Sequence, residues 1–409
     1  MSKKLSTDAY KGTRDFYPED MAIQRYIFNT WAKTAESFGY ERYDASLLEP
    51  SELYKSKGAE NEEMVNEQTY TFTDRGDREV TLRPEMTPTV ARMVAARRRD
   101  LTFPIRWYSI PNLFRYERPQ RGRLREHWQL NCDMFGADDI AADVEMISLA
   151  YHVLKAFGAK DTDFEIRIND RGLLNQLFSD AKFTADESRA MLALLDRKDK
   201  IKNFDAEVKK ITEKSFTVPL TPPEASRLFG VIANLKEIGI SNVTFSPYTV
   251  RGFSYYTGTI FEIFDTAKDN NRSLIGGGRY DNLTSLFEGE PVSGIGFGMG
   301  DVTMRDFLET HDLLKGKVPG TAPTVIIIST DATQNIEAQK IAQVIRNAGI
   351  SSTVDISDRK PEKKKSAAAK TGAKYILTFT DNETFSLRTL KSKDTDVTGT
   401  IQAIINAIS

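Results

Sequence analysis

Residues 21–38, "MAIQRYIFNTWAKTAESF", place Ile23, Ile27 and Trp31 at i, i+4 and i+8, with Phe28, Ala35 and Phe38 nearby. Apolar side chains at that spacing share one face of an α-helix. Asp20 is its expected N-cap and Gly39 its stop. The period then changes. "TYTFTDRGDREVTLRP" (69–84) alternates on both sides of an Asp-Arg-Gly-Asp turn, the pattern of a β-hairpin. "IRWYSIPNLFRYE" (105–117) and "HWQLNCDMFG" (127–136) predict two more strands, joined by an arginine-rich loop. Helical periods return over about 138–156 and 184–236, the second a candidate insertion between two halves of a sheet. Strand patterns resume over 242–264, followed by a glycine turn at "GGGRYD" (276–281) and the strand "GIGFGMG" (294–300).

"HDLLKGKVPGTAP" (311–323) holds two Gly, two Pro and no helical period, which marks a linker. Beyond it, "TVIIIST", "QNIEAQKIAQVIRNAGI", "SSTVDIS" and "AKYILTFT" alternate strand and helix, predicting a small α/β domain with a mostly parallel sheet.

Composition narrows the classes. At 409 residues, two or three domains are expected, and 40% hydrophobic with 28% charged residues suits a soluble globular chain. A net charge of −2 means that any polyanion site must be local. Residues 321–409 carry 12 Lys/Arg against 9 Asp/Glu, a small basic excess, and the lysines of "DRKPEKKKSAAAK" read first as a solvated helix face. The single cysteine, Cys132, excludes an intrachain disulfide and a thiolate-rich zinc site, and His127, His152 and His311 lack ligand spacing; no metal site is expected. The first residues have no apolar core of the signal-peptide kind and no apolar run approaches membrane length, so a cytoplasmic location is expected.

Charge is concentrated in "FRYERPQRGRLREHWQLNCDMFG" (114–136), which holds Arg115, Arg118, Arg121, Arg123 and Arg125 within eleven positions. Guanidinium groups match phosphate oxygens and stay charged near neutral pH. A polyphosphate, with an RNA end at the loop tip, is one reading; a solvated hairpin tip paired with Glu117 and Glu126 is the other. No Walker loop occurs, and Met299 interrupts any dinucleotide fingerprint in "GIGFGMG". Its alternating glycines clear one strand face, either for a planar base or ribose or for a tightly packed helix. Glu85 and Thr87 in "LRPEMTPTVAR" (82–92), Gln129, Asp133, the tyrosines of "RGFSYYTGTIFE" (251–262) and Tyr280 would suit a small zwitterion.

With "GTRDFYPEDM" (12–21) and "GGGRYDNL", these segments resemble the histidyl-tRNA synthetase family of class II aminoacyl-tRNA synthetases over essentially the whole chain. The resemblance implies an α+β catalytic domain over 1–320, with a mainly antiparallel sheet flanked by helices and a helical insertion at about 170–240. A linker at 311–322 and a C-terminal α/β anticodon-binding domain over 323–409 would follow. It implies ATP-dependent ligation of L-histidine to tRNA(His) through an adenylate, with Mg²⁺, in a homodimer paired through the 21–38 helix and the strand after it. Carried over, Arg115 would bind the ATP α-phosphate, Arg123 the outer phosphates, and Glu117 would lie near the adenine. Glu85, Thr87 and Gln129 would hold the amino group of histidine; Asp133, Tyr255, Tyr256 and Tyr280 would form the side-chain pocket, with Asp133, Tyr256 and Tyr280 reading the imidazole. Arg251 would face the carboxylate and α-phosphate as a catalytic cation with Arg115, and Gln120 the acceptor end of the tRNA.

The chain departs from the family pattern at three places. Thr303 stands where the third class II motif has its ATP-contacting arginine, with Asp301 before it and Arg305 two residues on; Ser254 replaces an aspartate and Ser46 a proline. A histidine-sensing, non-catalytic paralogue acting as a regulatory subunit in histidine biosynthesis is the alternative. It would be expected to lose the phosphate arginines and the C-terminal domain, both present here. A threonine, proline or glycine enzyme would lack "RGFSYYTG" and "LRPEMT".

Overall fold

The computed structural model describes residues 4–55, 67–196, 198, 201–214, 221–250, 255–268, 270, 272–381, 383–390 and 396–408; Arg251 and Ser254 lie outside them. The chain forms two compact units that divide between residues 317 and 318, with 17–22 grouped with the second.

The first helix, α1 (Pro18–Ser37), buries Ile27, Trp31 and Ala35 completely, as the apolar stripe predicts. It begins three residues earlier than expected, so Asp20 sits in its first turn, where a carboxylate favours the helix dipole, and is not the cap. Strands β1 (Glu41–Arg42) and β2 (Leu48–Pro50) and the single turn α2 (Glu52–Lys55) follow. The hairpin is present as β3 (Tyr70–Thr73) and β4 (Glu79–Leu82), with β2 paired to β4. After α3 (Thr87–Arg97) come β5 (Ile105–Ser109), β6 (Asn112–Phe114) and β7 (Glu126–Phe135). Pro111 breaks the run expected over 105–117, because proline cannot donate to a strand ladder.

Helix α4 (Ile140–Ala156) is capped by Asp139, whose side chain accepts the Ala141 amide at 2.8 Å. β8 (Phe164–Asp170) leads into α5 (Arg171–Asp180), α6 (Ala185–Asp196) and α7 (Phe204–Ile211). Leu174, Phe178, Met191 and Leu195 of this helical region form a small core of their own. α8 (Arg227–Glu237) instead puts Leu228, Val231 and Leu235 into the main core with α4. β9 (Val243–Phe245), β10 (Thr259–Asp265), β11 (Ser273–Arg279), β12 (Gly294–Gly300) and α9 (Asp301–Thr310) complete the unit.

Nine strands form one sheet in the order β1-β5-β7-β12-β11-β10-β8-β9, with β6 also on β7. Only the β1–β5 and β8–β9 pairings are parallel, so the sheet is mainly antiparallel, as expected. "GGGRYD" is not a turn: Gly276, Gly277 and Gly278 lie inside β11, paired with β10 and β12. A Cβ on Gly277 would lie 2.4 Å from the Gly296 carbonyl oxygen, and one on Gly278 2.6 Å from that of Thr259. The run is glycine because neighbouring strands leave no room for a side chain.

Arg279, at the end of β11, is buried away from the polar cavity. Its Nη2 lies 2.7 Å from Asp143 on α4, and Arg227 of α8 reaches the same carboxylate at 2.6 Å. This ion cluster ties sheet to helices.

The second unit contains β13 (Val325–Ile328), α10 (Asn335–Asn347), β14 (Ser352–Asp355), α11 (Pro361–Ala368), β15 (Tyr375–Phe379), β16 (Phe385–Thr389), β17 (Val397–Gly399) and α12 (Ile401–Ile408). Val325 and Ile327 of β13 bury in one core and Ile326 and Ile328 in another, so both faces are covered. β13 runs parallel to β14 and β15, but β16 and β17 are antiparallel, and the sheet is mixed where a mostly parallel one was expected. A tight turn after β15, with Thr384 donating to Asp381 through its amide at 2.8 Å, replaces a crossover helix.

Removing Asp143 leaves Arg279 buried without its main counter-charge. Asp143→Ala is expected to lower unfolding free energy by about 3 kcal/mol, measured by denaturant titration; a loss below about 1 kcal/mol contradicts the assignment.

Candidate active site

Gln129, Asn131 and Asp133 alternate on β7 and therefore project from one face of the sheet. Directly opposite, β12 supplies Gly300, Gly298 and Gly296 in register with them. A Cβ on Gly298 would lie 2.8 Å from Gln129 Cδ, and one on Gly296 2.5 Å from Asp133 Oδ1 and 2.6 Å from the Tyr280 hydroxyl oxygen. The glycine face thus accommodates the protein's own polar side chains. The same glycines, Gly296 and Gly298, line the cavity, so of the two alternatives left open by the sequence the face is not a seat for a helix.

Above these residues lies a cavity lined by Glu85, Thr87, Arg115, Gln129, Asn131, Tyr255, Tyr256 and Tyr280 together with Gly276, Gly296, Phe297 and Gly298. Six of the seven residues expected to bind histidine, and Arg115, share this one cavity. The seventh, Asp133, is buried at Tyr280: the Tyr280 hydroxyl donates to its Oδ1, while its buried Oδ2 has no hydrogen-bond partner among the described residues. Burial pushes the Asp133 carboxyl up to about 7, the hydrogen bond from Tyr280 opposing in part. Tyr280 is itself raised well above its ordinary range, first by burial and then by the charge of Asp133.

The rim is held by backbone and aromatic contacts. Glu85 lies between β4 and α3, where Arg83 donates to the carbonyls of Asn112 at 3.0 Å and Ala45 at 2.8 Å. Arg115 Nε donates to Pro84 at 2.9 Å, and the Tyr255 hydroxyl to Glu85 at 3.2 Å. The Tyr255 and Tyr280 rings meet edge to face at 5.9 Å, closing the apolar side.

The arginine-rich segment is a hairpin continuing from β6 and β7, with the Arg115 amide bonded to Arg125 at 2.9 Å and the Arg123 amide to Gln120 at 2.9 Å. Its cations have separate tasks. Arg125 is buried, stacked over Tyr116 at 4.0 Å and donating to the Tyr10 hydroxyl at 3.0 Å. Arg121 pairs with Asp306 of α9 at 3.0 Å. Arg125 is thus part of the fold, while the paired Arg121 side chain stays largely exposed. Arg123 is not in the cavity with Arg115. It lines an adjoining depression with Glu117, Gln120, Arg118, Tyr116, Glu67 and Gln68, and pairs with Glu117 at 3.4 Å.

Asp301, at the start of α9, is completely buried. It accepts from Arg14 at 2.7 Å, Gln24 at 2.8 Å and the Trp128 amide at 2.9 Å, so its charge is neutralised within the fold. Asn131 was missed by sequence reasoning. The period-2 spacing of Gln129 and Asp133 held the signal, since the residue between them lies on the same strand face, and Asn131 lines the cavity. Arg251 lies outside the described residues.

A large antiparallel sheet carrying a small polar cavity beside a basic hairpin, with a separate α/β unit, defines a class II aminoacyl-tRNA synthetase. The histidyl-tRNA synthetase family model matches residues 12–301 and an anticodon binding domain model residues 324–409. The chain belongs to the histidyl-tRNA synthetase family. It is similar to the histidine–tRNA ligase of Leptospira biflexa, 44% identical over 96% of this chain and 95% of that one. That of Thermoplasma volcanium is 36% identical over 91% of each. Among solved structures, apo histidyl-tRNA synthetase of S. aureus aligns with a TM-score of 0.76 at 22% identity, covering 98% of this chain and 100% of that one, a likeness of fold.

The raised Asp133 carboxyl gives a pH test. The folded chain holds this proton more tightly than the unfolded chain, whose pKa is that of an ordinary aspartate. Stability from this group is therefore full at low pH and falls as pH rises toward about 7. Asp133→Asn is expected to reduce the fall in melting temperature of unliganded protein between about pH 5 and about pH 8. Identical pH profiles for the two proteins contradict the burial argument.

Proposed function

We infer that the protein ligates L-histidine to tRNA(His) in two steps, using ATP and releasing AMP and pyrophosphate. The observation that carries this reading is a cavity that gathers Glu85, Thr87, Gln129, Tyr255, Tyr256 and Tyr280, with Asp133 buried behind Tyr280 and its Oδ2 without a hydrogen-bond partner among the described residues. A free carboxylate oxygen there calls for a ring N–H donor, and Glu85 and Gln129 suit an ammonium group. Tyr280 and Asp133 read the imidazole beside Tyr255 and Tyr256; Glu85, Thr87 and Gln129 hold the α-amino group. An apolar analogue would leave the Asp133 oxygen unpaired, and sites of this kind discriminate strongly.

Activation needs no general base. The histidine carboxylate attacks the α-phosphorus of ATP, a bond to the bridging oxygen breaks, and pyrophosphate leaves with the electron pair. Arg115 and Arg251 stabilise charge on the α-phosphate, while Arg123 turns from Glu117 to the outer phosphates. Glu117 lies at the adenine. The terminal ribose hydroxyl of tRNA then attacks the adenylate, with Gln120 against the acceptor end. Among the described residues no three His, Cys, Asp or Glu side chains form a metal-binding group. Mg²⁺, carried in mainly by phosphate oxygens, would neutralise their charge.

Residues 1–320 form the catalytic domain with its insertion at about 170–240; 311–322 link it to the anticodon-binding domain over 323–409. The working unit is a cytoplasmic homodimer paired through α1 and the strand after it. The regulatory reading is not favoured: an anticodon binding domain model matches residues 324–409, and the Leptospira biflexa ligase aligns over 96% of the chain.

ATP–pyrophosphate exchange with Mg²⁺ and each amino acid in turn tests the assignment. Exchange is expected with histidine alone. Histidine binding without exchange would favour the regulatory subunit.

A further inference from the structure

We propose that Arg272 supplies the triphosphate with the cation that position 303 does not; the proposal rests on the synthetase reading above. Arg272 stands immediately before β11. Ile275 of that strand pairs with Met299 of β12, so position 272 comes level with the first turn of α9, where Thr303 replaces the expected arginine.

The tip of the arginine hairpin folds onto the same place. Gly122, at φ +75°, sits so close that a Cβ on it would lie 2.8 Å from Arg272 Cδ, 3.3 Å from Arg272 Nε and 3.5 Å from Thr303 Cγ2. Arg272, Thr303 and the hairpin tip therefore converge on one point. The Arg121–Asp306 ion pair, at 3.0 Å, fastens the tip to α9.

Among the described residues Arg272 lacks a counter-charge, as does Arg115 in the cavity, whose Nε meets only the Pro84 carbonyl. Arg272 is half-buried, yet forms no hydrogen bond or ion pair among the described residues. Arg121 and Arg123 have carboxylate partners, and Arg125 is bonded to Tyr10 and stacked on Tyr116. Asp301, at the same level, is turned toward Arg14, Gln24 and the Trp128 amide, and so does not offset Arg272. A guanidinium partly withdrawn from water without a partner is unfavourable until an anion arrives. Its planar fork suits the paired oxygens of a β- or γ-phosphate. The cation that class II enzymes of this family place on the helix would here come from the strand edge beside it. Thr303 leaves the space that Arg272 and Gly122 share.

The test is steady-state ATP–pyrophosphate exchange with histidine in wild type, Arg272→Ala, Arg272→Lys and the double variant Arg272→Ala/Thr303→Arg, with melting temperatures alongside. Arg272→Ala is expected to raise the KM for ATP about tenfold to a hundredfold, with the KM for histidine and the melting temperature unchanged. Arg272→Lys should lie between, and the double variant should recover most of the loss, which a packing role would not produce. An unchanged KM for ATP in the alanine variant overturns the proposal, as does an equal rise in both KM values. Should the alanine variant not fold, the lysine variant gives the same reading at smaller amplitude. Absence of exchange in wild type strikes instead at the synthetase reading.

Discussion

Asp133 is a carboxylate that the fold removes from water and only half satisfies. Tyr280 bonds one oxygen, and the other is buried without a partner among the described residues. Much of the sheet's local construction follows from holding it there. β12 must be glycine opposite it, because a side chain at Gly296 would strike both Asp133 and Tyr280. Gly294 must be glycine as well, since a Cβ there would lie 2.6 Å from the Tyr280 ring. Close approach of β12 then excludes a side chain from Gly277, and that of Thr259 on β10 and of the Tyr256 ring excludes one from Gly278. An unsatisfied group of this kind costs stability, and the natural return on that cost is selectivity for a ligand that completes it.

Cations around the cavity obey a similar division. Those that build the fold are matched to buried carboxylates: Arg279 and Arg227 to Asp143, Arg14 to Asp301. Those at the mouth are not. Among the described residues the Arg115 guanidinium donates to the Pro84 carbonyl alone, and Arg123 has a partly exposed ion pair with Glu117. A surface pair such as this is weak, so it can yield to a phosphate at small cost. The positive field is thus local, as a chain with net charge −2 requires.

Period and spacing revealed the elements well, because burial enforces them: the stripe Ile27, Trp31, Ala35 is the buried face of α1, and the 69–84 hairpin lies where alternation put it. Boundaries were less legible. Pro111 split a strand run, and the antiparallel β16 and β17 left no mark that distinguishes them from a parallel sheet. Of the site, the resemblance named Glu85, Gln129, Asp133 and Tyr280, but their convergence depends on strands far apart in sequence. "GGGRYD" misled because glycine signals turns by its backbone freedom, whereas here it answers steric crowding. Arg279 and Arg272, both on the same strand segment, could not be told apart by residue type. One meets Asp143 and the other meets no described partner, and only the tertiary structure decides that.

The central claim is that Asp133 recognises the imidazole, and calorimetric titration of L-histidine into wild-type protein and Asp133→Asn tests it most directly. The amide keeps the size of the carboxylate but not its charge. The account predicts histidine binding to the wild type, weakened in the variant by about tenfold to a hundredfold, with ATP binding unaltered. Equal histidine affinity in the two proteins would contradict it.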